Sequence, residues 1–507
     1  LWVASRRTGL RATMIRRYFL LGLAILCMGG VFRYGGITQG WVAQLQGSQD
    51  RPVQLRIWDW WTPARNEDIG TYFEEVERIF EARNPDIDLV YQYVPFFNYV
   101  QKLSTALVGD APPDLFQSSV YWAEGLYHRG MLRTLDDLLE KNRRAPPAQR
   151  IGRDAFVPSA WRHNISSSGE VFGIPQMFES QCLMWNLDLV EPLARTDEEI
   201  RDLFVRRADR TVDYDRMRFD AVCDWDHFLR IAKKLTTHHA DGSIDQAGFV
   251  INAYGGGMGM FSPWLAANGG RFQDSDGTRA MFASANAVGA MEFMARLYWE
   301  EDVCPTFRRE ISDVDLFQEG RVACMVSGTW AGIDIVRNTL GWKHFAQTGF
   351  PPGPLGSGQS TVTWANMLVV SQRCVNVDAA WRYIQFVSSL EGALLRLKHL
   401  RYNSPRLDLY DTPEWQQTLA EYPFQSNVEE LCLVGNKLRH TEIIATDHKA
   451  NPILETVLLR YPDIKAGNGP YPSVEAALGE AARQVDNVFQ RYNQQVAQWR
   501  IKALADL

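Results

Sequence analysis

The stretch that most constrains the fold is Gly169–Val190, GEVFGIPQMFESQCLMWNLDLV. It reads as a short polar turn, an apolar strand-like piece holding Pro175, and a second run of aromatic and apolar side chains. Proline lacks the N–H that an interior strand donates, so the chain is expected to bend or cross over at Pro175. Asn186-Leu187-Asp188 then reads as the cap of a new element. The expectation is that one lobe hands over to another here, with a ligand bound beside the crossover.

A chain of 507 residues, 46% hydrophobic and 22% charged, is long enough for two or three lobes with sizeable cores. Its net charge of -7 argues against a general nucleic-acid binder, which carries a basic excess. The 17 tryptophans exceed what core packing usually needs, so some are candidates for a stacking surface.

Arg16-Arg17 precede an uncharged run from Tyr18 to Phe32. That run is short for a membrane span and suits the apolar region of a signal peptide. Met14 is a candidate start, and Arg16-Arg17-Tyr18-Phe19-Leu20 resembles the core of a twin-arginine signal without its flanking Ser and Lys. Sec export, twin-arginine export and an uncleaved anchor all stay open. Cys27 lacks the small preceding residue of a lipoprotein box. The other cysteines, Cys182, Cys223, Cys304, Cys324, Cys374 and Cys432, show no zinc spacing and read mostly as buried small hydrophobes. Cys304 with Cys324 is the pair to check for a disulfide.

From Gln54 the chain opens β-α-β. A strand ends at Asp59-Trp60-Trp61-Thr62-Pro63, and a helix follows over 71–83 with Thr71 and Glu74 as a capping box. A second strand runs from Asp88 to Val94. This order predicts a parallel sheet, whose ligands bind beyond the carboxyl ends of its strands. A third strand is expected at Asp114-Leu115-Phe116, with Gln117 and Ser118 in the loop after it and Tyr121 and Trp122 beyond. Glu191 to Asp220 is strongly charged and reads as a solvated helical insertion. Tyr254–Gly259 (YGGGMG) lacks the Lys and Ser/Thr of a phosphate loop and reads as a mobile loop near the ligand. Helices are expected over 282–299, from Asp378, and over 473–496.

Several of these segments resemble the extracellular solute-binding proteins of carbohydrate ABC importers, the family of the maltose-binding protein. The Gly169–Val190 stretch is similar to its G-x-x-Y/F-G-I-P…Y-N-x-D-L pattern. Pro95, Tyr99, Lys102, Leu103, Gly109, Pro113, Asp114 and Phe116 match a second pattern. Phe317–Met325 with Gly328-Thr329-Trp330 matches F-x-x-G-x-A-A-M…G-x-W, and Trp264 with Gly269-Gly270 matches W-x-x-x-x-G-G. Asn403-Ser404-Pro405-Arg406 is similar to the third crossover. Cys223-Asp224-Trp225-Asp226 keeps the family's Trp and lacks its Pro. The resemblance covers about Leu55 to Val496.

It implies an α/β, two-lobed periplasmic binding protein fold with interlobe crossover segments. The implied division is a signal or anchor over 1–50, an N-terminal lobe of 51–175 plus 366–402, and a C-terminal lobe of 176–365 plus 403–507. It further implies a monomer, periplasmic or at the cell surface. This monomer would bind a carbohydrate between the lobes without turnover, cofactor or metal, and deliver it to the permease subunits of an ABC transporter, with their ATPase engaged indirectly.

A sugar presents C–H faces to indole rings and hydroxyls to amides and carboxylates. The candidate platforms are Trp60, Trp61, Tyr121, Trp122, Trp264, Trp330 and Trp364. The candidate polar contacts are Gln117, Ser118, Gln176, Glu179 and Asn366, with Gly328 giving close backbone approach. Arg406 either contacts ligand or braces the hinge. The competing classes are a binding protein for a non-sugar solute and a glycoside hydrolase using Asp59 and Glu179. No nucleophile elbow or H-E-x-x-H motif supports the enzyme.

Overall fold

The computed structural model describes residues 51–505 apart from 65–66, 110, 167, 252–256, 275–277, 306–312, 340, 434–438 and 442–446. The N-terminal run with Arg16-Arg17 and Cys27, and the first part of the Tyr254–Gly259 loop, lie outside the described residues.

The chain opens as β1 (Val53–Asp59), α1 (Glu67–Arg83) and β2 (Ile87–Tyr93), and the two strands pair in parallel from Val53 opposite Ile87 to Asp59 opposite Tyr93. Helix α1 buries Ile69, Tyr72, Phe73, Val76 and Phe80, one apolar stripe at helical spacing. It begins four residues before the expected capping box. Glu67 and Asp68 occupy its first turn, and the Thr71 hydroxyl donates to the Glu67 carbonyl at 3.2 Å. Acidic groups at the positive end of the helix dipole do the work assigned to the cap.

Next come α2 (Phe96–Val108), β3 (Leu115–Ser119), α3 (Val120–His128) and β4 (Ile174–Asn186). Pro175 does not break β4. It is the second residue of the strand, where a missing donor costs little, and the partner strand shifts register between Asn366 and Met367 beside it. Asn186 caps α4 (Leu187–Ala194), its side chain accepting from the Asp188 N–H at 3.1 Å.

The charged segment after α4 is only partly helical. Beyond one short turn it forms a hairpin of β5 (Phe204–Arg206) and β6 (Val212–Met217). Phe204 and Met217, paired across that hairpin, are buried in the neighbouring core, so two-residue alternation overrides the charge pattern. Then follow α5 (Trp225–Lys234), α6 (Gly257–Ala267), α7 (Ala285–Trp299), β7 (Cys324–Gly328), α8 (Thr329–Asn338), β8 (Phe345–Thr348) and β9 (Ser360–Val370). The chain ends with α9 (Val377–Val387), α10 (Leu390–Leu400), β10 (Arg439–Thr441), α11 (Asp447–Leu459) and α12 (Val474–Ala505). Asp378 lies in the first turn of α9, and Asn376 holds its cap position.

One eight-stranded sheet runs β8-β4-β9-β3-β1-β2, with β7 also paired to β4 and β10 to β9. Its centre is the antiparallel pair β4 and β9. The first half of β4 pairs β9, and its second half pairs β7 and β8. Two large cores lie at the two ends of this pair. One gathers Leu55, Ile57, Phe73, Val76, Leu115, Phe116, Val369 and Ile384, and the other Trp185, Phe228, Trp264, Phe293, Leu454 and Leu478. The chain therefore has two α/β lobes that share continuous strands.

Cys182, Cys223, Cys304, Cys324 and Cys374 are free thiols, so Cys304 and Cys324 are not bridged. Burial pushes the Cys304 thiol up to about 12, as expected of an inert core residue. Among the described residues no helix is long and apolar enough to cross a membrane.

Trp264 is fully buried in the second core, with ring centroids 5.2–5.4 Å from Phe350, Phe293 and Phe228. The Trp264→Ala variant should therefore lose about 3–5 kcal/mol of unfolding free energy in a denaturant titration. A loss below about 1 kcal/mol would contradict this placement.

Candidate ligand-binding site

Side chains alternate across a sheet, so register decides which residues meet. Glu179 lies opposite Trp364, Met177 opposite Asn366, and Asn366 opposite Ser119. Gln117, two residues before Ser119, and Asp59, two beyond Ile57 in the register set by the pair Ile57–Leu115, fall on the same face. This face carries carboxyl, amide and indole groups at the strand ends where the two lobes meet.

Two tryptophan groups flank it. From the N-terminal lobe, Trp60 packs edge-on to Trp122, Phe96 and Tyr99 at centroid distances of 5.7, 5.8 and 5.1 Å. The Tyr99 hydroxyl donates to the Gln117 carbonyl at 2.8 Å, which fixes this wall to β3. From the C-terminal lobe, Trp330 lies 5.1 Å from Trp364. Trp330 is partly buried and packs against both the N-terminal core and a smaller core of the C-terminal lobe, so it reaches across the junction. A Cβ on Gly328 would fall 1.4 Å from the Trp330 ring, so only glycine leaves room for the indole to lie against this backbone.

Glu179 is the polar centre. Its Oε2 accepts from the Thr329 hydroxyl at 2.8 Å, and the same hydroxyl oxygen accepts from the Ser180 N–H at 3.1 Å. Its Oε1 is buried without a protein hydrogen-bond partner. Burial pushes its carboxyl up to about 8. Asp59 is pushed up to about 7 by the same cause, partly offset by the Trp61 N–H and the Arg396 charge. The Trp61 N–H donates to its Oδ1 at 2.7 Å, and the Gln117 amide, in the orientation that satisfies both groups, donates at 2.7 and 2.6 Å.

Several sequence-based candidates are placed differently. Gln117 and Ser118 belong to β3 rather than to a loop. Ser118 points to the face opposite Gln117, with Met367 as its cross-strand partner, and is fully buried. Gln176 is buried in β4. Its amide donates to the Ser388 hydroxyl at 2.6 Å and accepts from Arg396 at 2.8 Å. Trp264 is core. Trp61 is buried and stacked 5.0 Å from Tyr402. Arg406, 1% exposed, chelates Asp408 at 2.8 and 2.6 Å and donates to the Ser388 and Arg150 carbonyls at 2.9 and 3.2 Å. These contacts are all to protein groups. Tyr121 sits in the first turn of α3.

Sequence reasoning missed Phe96, Thr329 and Arg396. Phe96 carried a usable signal, since it follows Pro95 at the carboxyl end of β2. It is 49% exposed beside Trp60 and Trp122. Among the described residues no group of three or more His, Cys, Asp or Glu side chains is set to hold a metal.

Two α/β lobes sharing crossover strands, with indoles and a buried carboxyl at their junction, define a cleft-type binding protein. Residues 64–393 match the family model of bacterial extracellular solute-binding proteins, which is more than half of the chain. The protein therefore belongs to the bacterial extracellular solute-binding protein family. A Brucella abortus (strain 2308) protein, whose name calls it a binding protein, is 22% identical over 326 residues, 63% of this chain and 68% of its own. The fold is similar to that of an ABC substrate-binding protein from Listeria monocytogenes in complex with cycloalternan, at TM-score 0.66 and 19% identity, over 87% of this chain and 100% of that one. It is also similar to the sugar-binding protein MalE of Xanthomonas citri, at TM-score 0.65 and 18% identity, over 88% and 100%.

The raised Glu179 carboxyl sets a pH dependence. Below about 4.5 it is protonated in both folded and unfolded chains. Above that the unfolded chain releases a proton that the folded one keeps until about pH 8, so stability falls as pH rises across this window. Glu179→Gln should remove this share, about 5 kcal/mol at most. Chemical denaturation from pH 4 to 9 should show wild type losing stability relative to the variant up to about pH 8 and running parallel above it. Parallel curves throughout would mean that Glu179 titrates normally.

Proposed function

We propose that the protein binds a carbohydrate in the cleft between its lobes and delivers it to the permease of an ABC importer. The observation that carries this reading is the Glu179 carboxyl, with a free Oε1, set beside the Trp330–Trp364 pair where both lobes meet. Indole faces suit the C–H surface of a sugar ring, and a buried carboxyl suits its hydroxyls. The fold and family add support. The Listeria and Xanthomonas proteins are named for a bound cycloalternan and for sugar binding.

In this reading the lobes are 51–175 with 366–402 and 176–365 with 403–507, and ligand closes them by hinge motion about β4, β9 and the Arg406 segment. Trp60, Phe96, Trp122 and Asn366 form the N-terminal wall, with Trp330, Trp364 and Glu179 opposite. Ligand favours the closed form only through contacts that need both lobes. The protein works as a monomer outside the cytoplasmic membrane, exported by its apolar N-terminal run, and the closed form docks on the permease. The Asp59–Glu179 pair fits catalysis poorly, because both Asp59 oxygens are held by Gln117 and one also by the Trp61 N–H.

The test is tryptophan fluorescence and thermal shift against mono-, di- and oligosaccharides and polyols, with product analysis of each mixture. Saturable stabilisation without turnover is expected, and it should be lost in Trp330→Ala. Gly328→Ala should weaken affinity by about tenfold or more, because the new methyl displaces the Trp330 indole. Product formation would establish an enzyme. Silence across the panel from a folded protein would point to another solute class.

A further inference from the structure

Helix α8 serves both lobes. Ala331, Ile333, Ile335 and Val336 are buried in the smaller core of the C-terminal lobe, with Phe345 and Phe424. Trp330, Asp334 and Arg337 fall on one further stripe, because residues four and three apart line up along one side of a helix. Each of the three meets the N-terminal lobe.

Trp330 packs against that lobe's core. Asp334 Oδ1 accepts from the Tyr402 hydroxyl at 3.2 Å, and Tyr402 stacks on Trp61. Arg337 reaches furthest. Its Nε donates to Asp68 Oδ2 at 3.1 Å, and its Nη2 donates to the His399 and Leu400 carbonyls at 3.2 Å each. Its Nη1 lies 3.8 Å from Asp334 Oδ1. Asp68 is in the first turn of α1, and His399 and Leu400 end α10. The last carbonyls of a helix lack partners within it and carry the negative end of its dipole, so they suit a cation. The fork of a guanidinium can span a carboxylate and two carbonyls at once. The Arg337 side chain is 16% exposed and that of Asp68 46%, so the ion pair alone is worth little and the α10 carbonyls hold the buried end.

A helix rises about 1.5 Å per residue, which places Arg337 about 10 Å along α8 from Trp330. The two move as one body. A rotation that lifts Trp330 from the N-terminal core also pulls Arg337 off Asp68 and off the end of α10.

We propose that this face of α8 is a clasp between the lobes, with Arg337 as a positioning residue for the Trp330 wall. Its bonds to Asp68 and α10 hold the lobes together, and opening of the cleft breaks them. The protein makes these bonds without help, so they bias the unliganded molecule toward closure and reduce what a ligand must supply. The positioning role, though not the clasp itself, rests on the ligand reading above.

Two measurements test this, on variants shown to be folded by circular dichroism. The first is small-angle X-ray scattering of the unliganded wild type, Arg337→Gln and Asp68→Asn. Both variants should have a larger radius of gyration than wild type, Arg337→Gln the more so because it also loosens the α10 contact. Asp68 is partly exposed, so Asp68→Asn keeps the test open if Arg337→Gln does not fold. An unchanged radius in the folded variants would overturn the clasp, whatever the protein binds. The second is a double-mutant cycle of the same substitutions, read as affinity for the best sugar of the panel. Arg337→Gln should weaken binding about tenfold, with little further loss when Asp68→Asn is added. Unchanged affinity in folded Arg337→Gln, or additive losses, would remove the positioning role. If no sugar binds wild type, the ligand reading fails and the radius still decides the clasp.

Discussion

Strand β4 pairs along its whole length, first with β9 and then with β7 and β8, and the rest of the molecule depends on that continuity. A strand shared by two lobes places their cores at its two ends and their junction at its middle. Glu179 and Ser180 stand at that middle, next to Trp364 and Thr363 of the antiparallel partner. Because the backbone hydrogen bonds are satisfied within the sheet, side chains at the junction are free to serve a ligand instead. The register shift at Asn366/Met367 occurs one step from the site. Bulges of this kind bend a strand and re-aim its side chains.

Around that shared pair, two kinds of buried polar group have different tasks. Arg406 and Gln176 bond to protein partners and join two segments, the Arg406 loop and the start of β4, to the α9–α10 turn at Ser388, while Arg396 of α10 holds Gln176. Glu179 keeps one oxygen without a protein partner. In the proposed reading, the first group braces the hinge and the second offers an acceptor for a ligand to complete. Both depend on low local dielectric, which raises the cost of any unpaired group and the value of any well-paired one.

Much of the fold could be read from the sequence, because periodicity and turn chemistry act locally. The apolar stripe of α1, the β-α-β opening and the Asn186 cap are of this kind. The charged segment after α4 was harder to read, because its hairpin is set by Phe204 and Met217 docking on a distant core, and charge spacing does not show that. Site residues were only partly legible. An indole in a core and an indole on a cleft wall look alike in sequence, so Trp264 could not be told from Trp330 before packing was known. Ser118 and Gln117 likewise differ by one residue, and only strand register puts them on opposite faces. Arg396 carried no local signal at all, since its partners lie 220 and 324 positions away along the chain.

The central claim is that the two lobes close over a carbohydrate without chemical change. Small-angle X-ray scattering of the protein, with and without a saturating sugar that stabilises it, tests this most directly. A smaller radius of gyration on binding, with the sugar recovered intact, is the predicted result. Saturable binding with an unchanged radius, or a sugar recovered in pieces, would contradict the account.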